Sequence, residues 1–490
     1  MFGKGYVVGR GYMRQIIEAR AHGLLIAGEW VGTETTVPVK DKFTGEVIGW
    51  VGSATREDVD AAVGAAAATF QRDLLHPPER YRILSQVASM VQERADDLAR
   101  IMIAETGFTW RDVRSDITRA VQTLQTSAEE AKRLGGEVLP IQAAPGFENA
   151  LAFTIRVPLG VVAAITPFNS PLNTVCHKVA PALAAGNTVV LKPATTTPLS
   201  SIQLAEFLLE AGLPAGHLNL ITGPGSSIGR WLTEDARVRF VTFTGSTKVG
   251  EDIQARIGLR RSCMELGNIS ATIICADSDI DRAVPLIVAG AFRKAGQVCT
   301  SVQRIFVERP IYPELVERLR EATARLKYGN PWEEGTDVGP MIGETQAEQA
   351  QAWVRQAVAQ GAKIVLGGER EGPVLQPTIL VDVPPGARVV CEEIFAPVVS
   401  VAPFDTFDQA IDFVNAAPYG LQAGVFTRDL HRALQAVRRL DVGGVIVNGT
   451  SSTRADLMPY GGTKRSGFGR EGPKYAVEEL TELRTVVFYN

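Results

Sequence analysis

Three side chains in this sequence have the chemistry to act together on a carbonyl: a thiol, a carboxylate and a carboxamide, each set among small or polar residues. Cys299 lies in Gly296-Gln-Val-Cys-Thr-Ser-Val-Gln-Arg304, just after an apparent helix. A thiol becomes a nucleophile when a helix N-terminus or a nearby base favours its thiolate, whereas a lone cysteine is more often a small buried residue. Glu265, in Met264-Glu-Leu-Gly267, falls where an interior strand or loop is expected. Burial there would raise its pKa and suit it to general-base work; at the surface it would be a solvated or capping residue. Asn169, in Thr166-Pro-Phe-Asn-Ser-Pro-Leu-Asn173, follows a buried apolar run. Its amide can donate to an oxyanion, and a turn residue beside proline is the plain alternative.

A fourth feature suits a phosphate. Arg239-Phe-Val-Thr-Phe-Thr-Gly-Ser-Thr-Lys-Val-Gly250 reads as strand, turn and helix, with Gly245 and Gly250 allowing close backbone approach. A helix N-terminus there favours a pyrophosphate. The stretch is not GxGxxG, and a tight strand–helix turn explains it equally well, as it does Gly223-Pro-Gly-Ser-Ser-Ile-Gly229. The other cysteines, Cys176, Cys263, Cys275 and Cys391, read as small buried residues.

The elements that must position these groups alternate between short apolar runs and helical patterns, which indicates βαβ units and a parallel sheet. Val161-Val-Ala-Ala-Ile165, Asn187-Thr-Val-Val-Leu191, Leu218-Asn-Leu-Ile221 and Arg239-Phe-Val-Thr-Phe243 read as strands, with helices at 173–185, 199–211 and 226–232. Helices at 56–71, 78–105 and 111–134 are expected to pack outside the sheet, and a second α/β set runs from about Gly267 to Val447. Strand patterns at 137–156 and 482–490 lack local partners, so they can pair with each other or across subunits.

A chain of 490 residues has room for about three units of ~150 residues. With 45% hydrophobic and 21% charged residues and a net charge of −4, it carries no electrostatic footprint for nucleic acid or a membrane surface. No apolar run reaches the ~18 residues of a membrane helix. Lys4, Arg10, Arg14 and Arg20 precede no continuous apolar core, so no signal peptide is expected and a cytoplasmic location is the default. Five cysteines without a CxxC spacing read as reduced thiols. The five histidines show no metal-ligand spacing, so no metal is expected.

In this order and spacing the motifs resemble those of the aldehyde dehydrogenase superfamily, from about Leu24 to Asn490. The pieces are Pro167-Phe-Asn169, Lys192-Pro-Ala194, Phe243-Thr-Gly-Ser246, Glu265-Leu-Gly267, Gly296-Gln-Val-Cys299, Glu392-Glu-Ile-Phe-Ala-Pro397, Pro459-Tyr-Gly-Gly462 and Ser466-Gly-Phe-Gly469. The first 20 or so residues have no counterpart. The resemblance implies an α/β fold with a doubly wound dinucleotide-binding domain (1–134 and 156–267) and an α/β catalytic domain (268–454). It also implies a β-strand oligomerisation arm (135–155 and 473–490) and a homodimer or homotetramer. It implies NAD(P)-dependent oxidation of an aldehyde through a thioester on Cys299, with Asn169 and the Cys299 N–H holding the oxyanion and Glu265 activating water. Lys192 and Glu393 would hold the riboses, Phe395 would pack near the nicotinamide ribose, and Ser246, with Gly245 and Gly225, would meet the pyrophosphate. Thr195 stands where NAD-preferring relatives often carry Glu, which suggests that NADP is accepted. Arg119 and Arg454 align with substrate-phosphate ligands of glyceraldehyde-3-phosphate relatives, which suggests a short hydroxy- or anionic aldehyde.

The sequence departs from the family in Glu265-Leu-Gly-Asn-Ile269 and in Ala396, and looks closest to the lactaldehyde dehydrogenase-like and non-phosphorylating glyceraldehyde-3-phosphate dehydrogenase branch. Two alternatives share the scaffold: a CoA-acylating semialdehyde dehydrogenase, which Glu265 speaks against, and an inactive binding protein, which the presence of Cys299, Glu265 and Asn169 together speaks against.

Overall fold

Val161–Ile165 and Thr188–Lys192 are buried along their whole length, as parallel strands covered on both faces must be. They sit side by side in the computed structural model, which describes residues 20–489. Their sheet has eight strands in the spatial order Gly467–Phe468, Arg261–Glu265, Val238–Thr244, Val161–Ile165, Thr188–Lys192, Leu218–Leu220, Leu24–Ile26 and Glu29–Val31. The five central strands are parallel. Strand order reverses at Val161–Ile165, which has Thr188–Lys192 on one side and Val238–Thr244 on the other. Ligands of doubly wound sheets bind beyond the carboxyl ends at such a reversal.

A second sheet of seven strands is ordered Lys363–Leu366, Thr378–Val381, Val398–Phe404, Arg304–Glu308, Ala271–Ile274, Gln422–Phe426 and Gly444–Val447. All of its pairings are parallel except the first. The two strands that lacked local partners pair with each other: Leu151–Pro158 runs antiparallel to Thr481–Phe488 over eight residue pairs.

Three expectations are corrected. The helix read at 78–105 is two, Pro77–Glu93 and Ala95–Thr106, broken at Arg94, whose backbone leaves helical geometry. Arg94 instead pairs with Glu210 and stacks on Phe207, a tertiary anchor with no local signature. The helix at 226–232 is a π-turn, Gly225–Gly229, continued by Arg230–Glu234. Cys391, read as buried, is exposed at the end of the one-turn helix Arg388–Cys391. The positively charged N-terminal segment lies outside the described residues, apart from Arg20. Among the described residues, no helix is long and apolar enough to cross a membrane.

Candidate active site

Glu265 ends a strand of the first sheet and Asn169 lies four residues beyond Ile165 in the same sheet. Cys299 comes from the other side, on the turn between helix Ile280–Phe292 and strand Arg304–Glu308 of the second sheet. The three meet in the lining of one cavity of about 780 Å³. Lys192, Gly225, Gly245, Ser246, Glu393 and Phe395 line the same cavity. Thr195 does not; its hydroxyl donates to the Gly223 carbonyl at 2.8 Å.

Of the two activating neighbours the sequence left open for Cys299, a helix N-terminus or a base, neither hydrogen-bonds its sulfur among the described residues; the Tyr460 hydroxyl does. The Cys299 loop is shaped by three consecutive residues in left-handed conformation, Lys294 (φ 52°), Ala295 (φ 53°) and Gly296 (φ 69°). A Cβ on Gly296 would fall 2.1 Å from the Ala396 carbonyl oxygen, so only glycine lets this loop meet the segment carrying Glu393 and Phe395. Non-glycine residues resist this conformation, and Lys294 is held in it by buried contacts. Its N–H donates to Asp112 at 3.1 Å, and Nζ donates to Asp116 Oδ1 at 3.0 Å and to the Asn169 carbonyl at 2.8 Å. The loop that presents Cys299 is thereby tied to Asn169, which lines the same cavity. Nδ2 of Asn169 donates to the Gln297 carbonyl at 2.8 Å.

The Cys299 thiol is pushed up to about 11, chiefly by burial, with the Tyr460 hydroxyl at 2.9 Å and the Arg454 charge acting in the opposite direction. Glu265 is buried, and neither of its oxygens has a hydrogen-bond partner among the described residues. Burial first, and the neighbouring Glu471 charge second, hold its carboxyl well above the usual range. A carboxylate so placed is a strong base once it has lost its proton. Burial likewise raises Glu393 to about 7 and lowers Lys192 to about 8. Glu393 accepts from the Asn268 N–H at 2.9 Å, and a Cβ on Gly267 would sit 2.7 Å from its Oε2, so Gly267 is what lets this carboxylate enter.

The two arginines expected to bind substrate are engaged within the protein. Arg119 forks onto buried Asp456 through Nε at 2.9 Å and Nη2 at 2.7 Å, where His177 and Asn173 also converge. Arg454 donates to Glu471 at 3.0 Å, and Glu471 also accepts from Lys178 at 2.9 Å. Neither arginine lines the large cavity; Arg119 lines a second one of about 190 Å³ together with Arg293. Arg293 donates only to Ser452, at 3.0 and 3.3 Å, and has no carboxylate within ion-pair distance among the described residues. Its pKa is lowered by burial first and by the Arg119 charge next, while the Asp112 charge, and then charge on Cys299 or Tyr460, acts on it favourably.

The large cavity fits a dinucleotide. Ser246 caps helix Thr247–Ile257 without a side-chain bond into its first turn, which leaves amides for a phosphate. Buried Lys192 and half-buried Glu393 line the same space, and Phe395 meets Phe168 edge to face at 5.8 Å.

The aldehyde dehydrogenase family profile matches residues 30–486. The chain belongs to the aldehyde dehydrogenase family. A 3-sulfolactaldehyde dehydrogenase from Priestia aryabhattai is 49% identical over 475 residues, covering 97% of this chain and 99% of that protein. The crystal structure of aldehyde dehydrogenase 21 from Physcomitrella patens, in complex with the reaction product succinate, superposes with a TM-score of 0.94 at 37% identity, covering 96% and 99% of the two chains. A glyceraldehyde-3-phosphate dehydrogenase from Methanocaldococcus jannaschii, complexed with NADP, gives 0.90 at 36% identity, covering 93% and 100%. This aldehyde dehydrogenase is accordingly an NAD(P)-dependent oxidoreductase of the branch its motifs indicated.

Sequence reasoning passed over Arg293, Lys294, Lys178, Asp456, Glu471 and the hydroxyl of Tyr460. Arg293-Lys294, two cations ending an apolar helix five residues before a cysteine, was the one legible signal.

Proposed function

We propose that this aldehyde dehydrogenase oxidises a short aldehyde bearing an anionic group, with or without a hydroxyl, and that Cys299, Asn169 and Glu265 perform the chemistry. The observation that carries the substrate reading is Arg293: a half-buried guanidinium with no carboxylate within ion-pair distance among the described residues, close enough to Asp112 and Cys299 for their charges to act on it. A partly desolvated cation with no direct carboxylate partner is costly, and an anionic substrate offsets part of that cost while a neutral one does not. Arg119, beside it in the smaller cavity, adds positive potential even though its fork is occupied. A sulfonate-bearing aldehyde, as named for the Priestia relative, and a carboxylate product, as in the Physcomitrella complex, both fit this charge pattern.

In this reading the Cys299 sulfur attacks the aldehyde carbon, and the resulting oxyanion accepts from Asn169 Nδ2 and the Cys299 N–H. The nicotinamide coenzyme, when bound, supplies the hydride acceptor. Asn169 must leave the Gln297 carbonyl or use its second N–H to reach the oxyanion. Glu265 then takes a proton from water, the hydroxide attacks the Cys299 thioester, and the carboxylic acid leaves as the thiolate is restored. Lys192 and Glu393 orient the coenzyme riboses, and Ser246 and Gly245 its pyrophosphate.

We also infer a homodimer or homotetramer built through the Leu151–Pro158/Thr481–Phe488 arm, which exposes Leu151, Ile155, Leu483, Val487 and Phe488. The free thiols support a reducing, cytoplasmic setting. The test is a panel of three- and four-carbon aldehydes carrying sulfonate, carboxylate, phosphate, hydroxyl or no polar group, assayed with each coenzyme and with CoA added. Highest kcat/KM for an anionic member, with free acid as product, supports the reading; preference for the unsubstituted aldehyde or formation of acyl-CoA contradicts it.

A further inference from the structure

Tyr460 reaches the nucleophile itself. Its ring is buried, its hydroxyl lies 2.9 Å from Cys299 Sγ, and the Arg454 guanidinium stands 3.6 Å over its ring centre. The ring is fixed from both sides. Arg454 is anchored on Glu471, and the Tyr460 backbone exchanges hydrogen bonds with Glu471, its N–H donating at 3.0 Å and its carbonyl accepting at 2.7 Å. The next residue abuts the general base: a Cβ on Gly461 would come 2.9 Å from Oε1 of Glu265. One turn thus touches both the nucleophile and the base.

At 2.9 Å either the sulfur or the oxygen can be the donor. We propose that the Tyr460 hydroxyl donates to the Cys299 sulfur in its thiolate state, which makes Tyr460 a catalytic residue that sets the reactivity of the nucleophile. A thiolate only accepts, and among the described residues no other side chain hydrogen-bonds this sulfur. Hydrogen bonds to ionised groups are roughly twice as strong as neutral ones, so the donating phenol gains when the sulfur ionises. The cation on the ring face draws electron density from the phenol and polarises its O–H toward the sulfur. The proton stays on the phenolic oxygen throughout; no bond is made or broken at Tyr460.

The proposal rests on Cys299 being the nucleophile, and its test reads the sulfur rather than turnover. Tyr460→Phe removes one oxygen and keeps the ring beneath Arg454. Wild type and variant are alkylated with iodoacetamide between pH 6 and 10 without coenzyme, and the Cys299 peptide is quantified by mass spectrometry with exposed Cys391 as internal reference. The expected result is a Cys299 profile moved up by about one pH unit, so that alkylation near neutrality slows about tenfold relative to Cys391. An unchanged profile overturns the proposal. So does a shift to lower pH, which is what losing an acceptor for the S–H would give. Retained turnover in Cys299→Ala would remove the nucleophile assignment without altering what the alkylation profile says about the hydrogen bond, so the two failures remain distinct.

Discussion

Replacing Arg293 with methionine separates substrate recognition from architecture, because this guanidinium is one the fold does not need. Among the described residues its hydrogen bonds are two, both to Ser452, at 3.0 and 3.3 Å, and it makes no ion pair. Losing them costs about 1 kcal/mol each, while removing a half-buried cation that lies near Arg119 relieves repulsion that offsets part of that loss. The melting temperature should therefore stay within about 3 °C of wild type. Binding is different. A hydrogen bond to a charged group contributes about 1.5–3 kcal/mol, or roughly 10- to 150-fold in kcat/KM. That loss is expected for a sulfonate- or carboxylate-bearing aldehyde, while propanal should change less than about threefold. The assay is reduced-coenzyme absorbance at subsaturating aldehyde, with thermal melts on the same samples. Equal losses on charged and neutral aldehydes, or a melt lowered by 8 °C or more, would refute the reasoning and make Arg293 a structural residue.

The remaining predictions concern residues in and around the two cavities. Lys294→Met should lower kcat at least tenfold with coenzyme affinity unchanged, because it frees the Asn169 carbonyl, and should destabilise the protein by about 3 kcal/mol by leaving buried Asp116 without its cation; a stable, fully active variant would contradict this. Thr195→Glu should depress kcat/KM for NADP⁺ more than tenfold and leave NAD⁺ nearly unaffected, since a new carboxylate beside Lys192 repels a 2′-phosphate; parallel changes for both coenzymes would defeat the argument. Glu265 must lose a proton to act, and its folded carboxyl is held above the usual range by burial and by Glu471, so the steady-state rate should rise with pH above the range where an ordinary carboxyl has already ionised; a rate that has levelled off within that ordinary range would remove Glu265 from the limiting step.

Much of this arrangement is legible in the chain because it is local. Val161–Ile165 is a continuous apolar run and Thr188–Lys192 has an apolar centre, Val189-Val-Leu191, and the residues just beyond strand ends, such as Asn169, are placed by the parallel sheet itself. Glu265 and Cys299 converge because each ends or follows a short, regular element. What the sequence does not carry is charge pairing at long range. Arg119 reads as a free guanidinium until Asp456 arrives from 337 residues away, and Arg454 until Glu471 folds back beneath it. Arg293, by contrast, meets only the neutral Ser452 from 159 residues away and no carboxylate within ion-pair distance among the described residues. The left-handed run at Lys294–Gly296 is equally hidden, since it is Asp112, Asp116 and the Asn169 carbonyl, all remote in sequence, that hold a lysine where glycine would be expected.

The central claim is that an acyl group is carried on Cys299 and released by Glu265. Removing the base should trap it: a general base contributes about 10²–10⁴-fold, so Glu265→Gln should give one fast turnover followed by a slow steady state. The decisive measurement mixes this variant with coenzyme and an anionic aldehyde, quenches in acid during the slow phase, and maps the adduct by peptide mass spectrometry. The account predicts an acyl mass on the Cys299 peptide equal in amount to the burst of reduced coenzyme. A burst without that adduct, or an adduct on Cys391 or another residue, would contradict it.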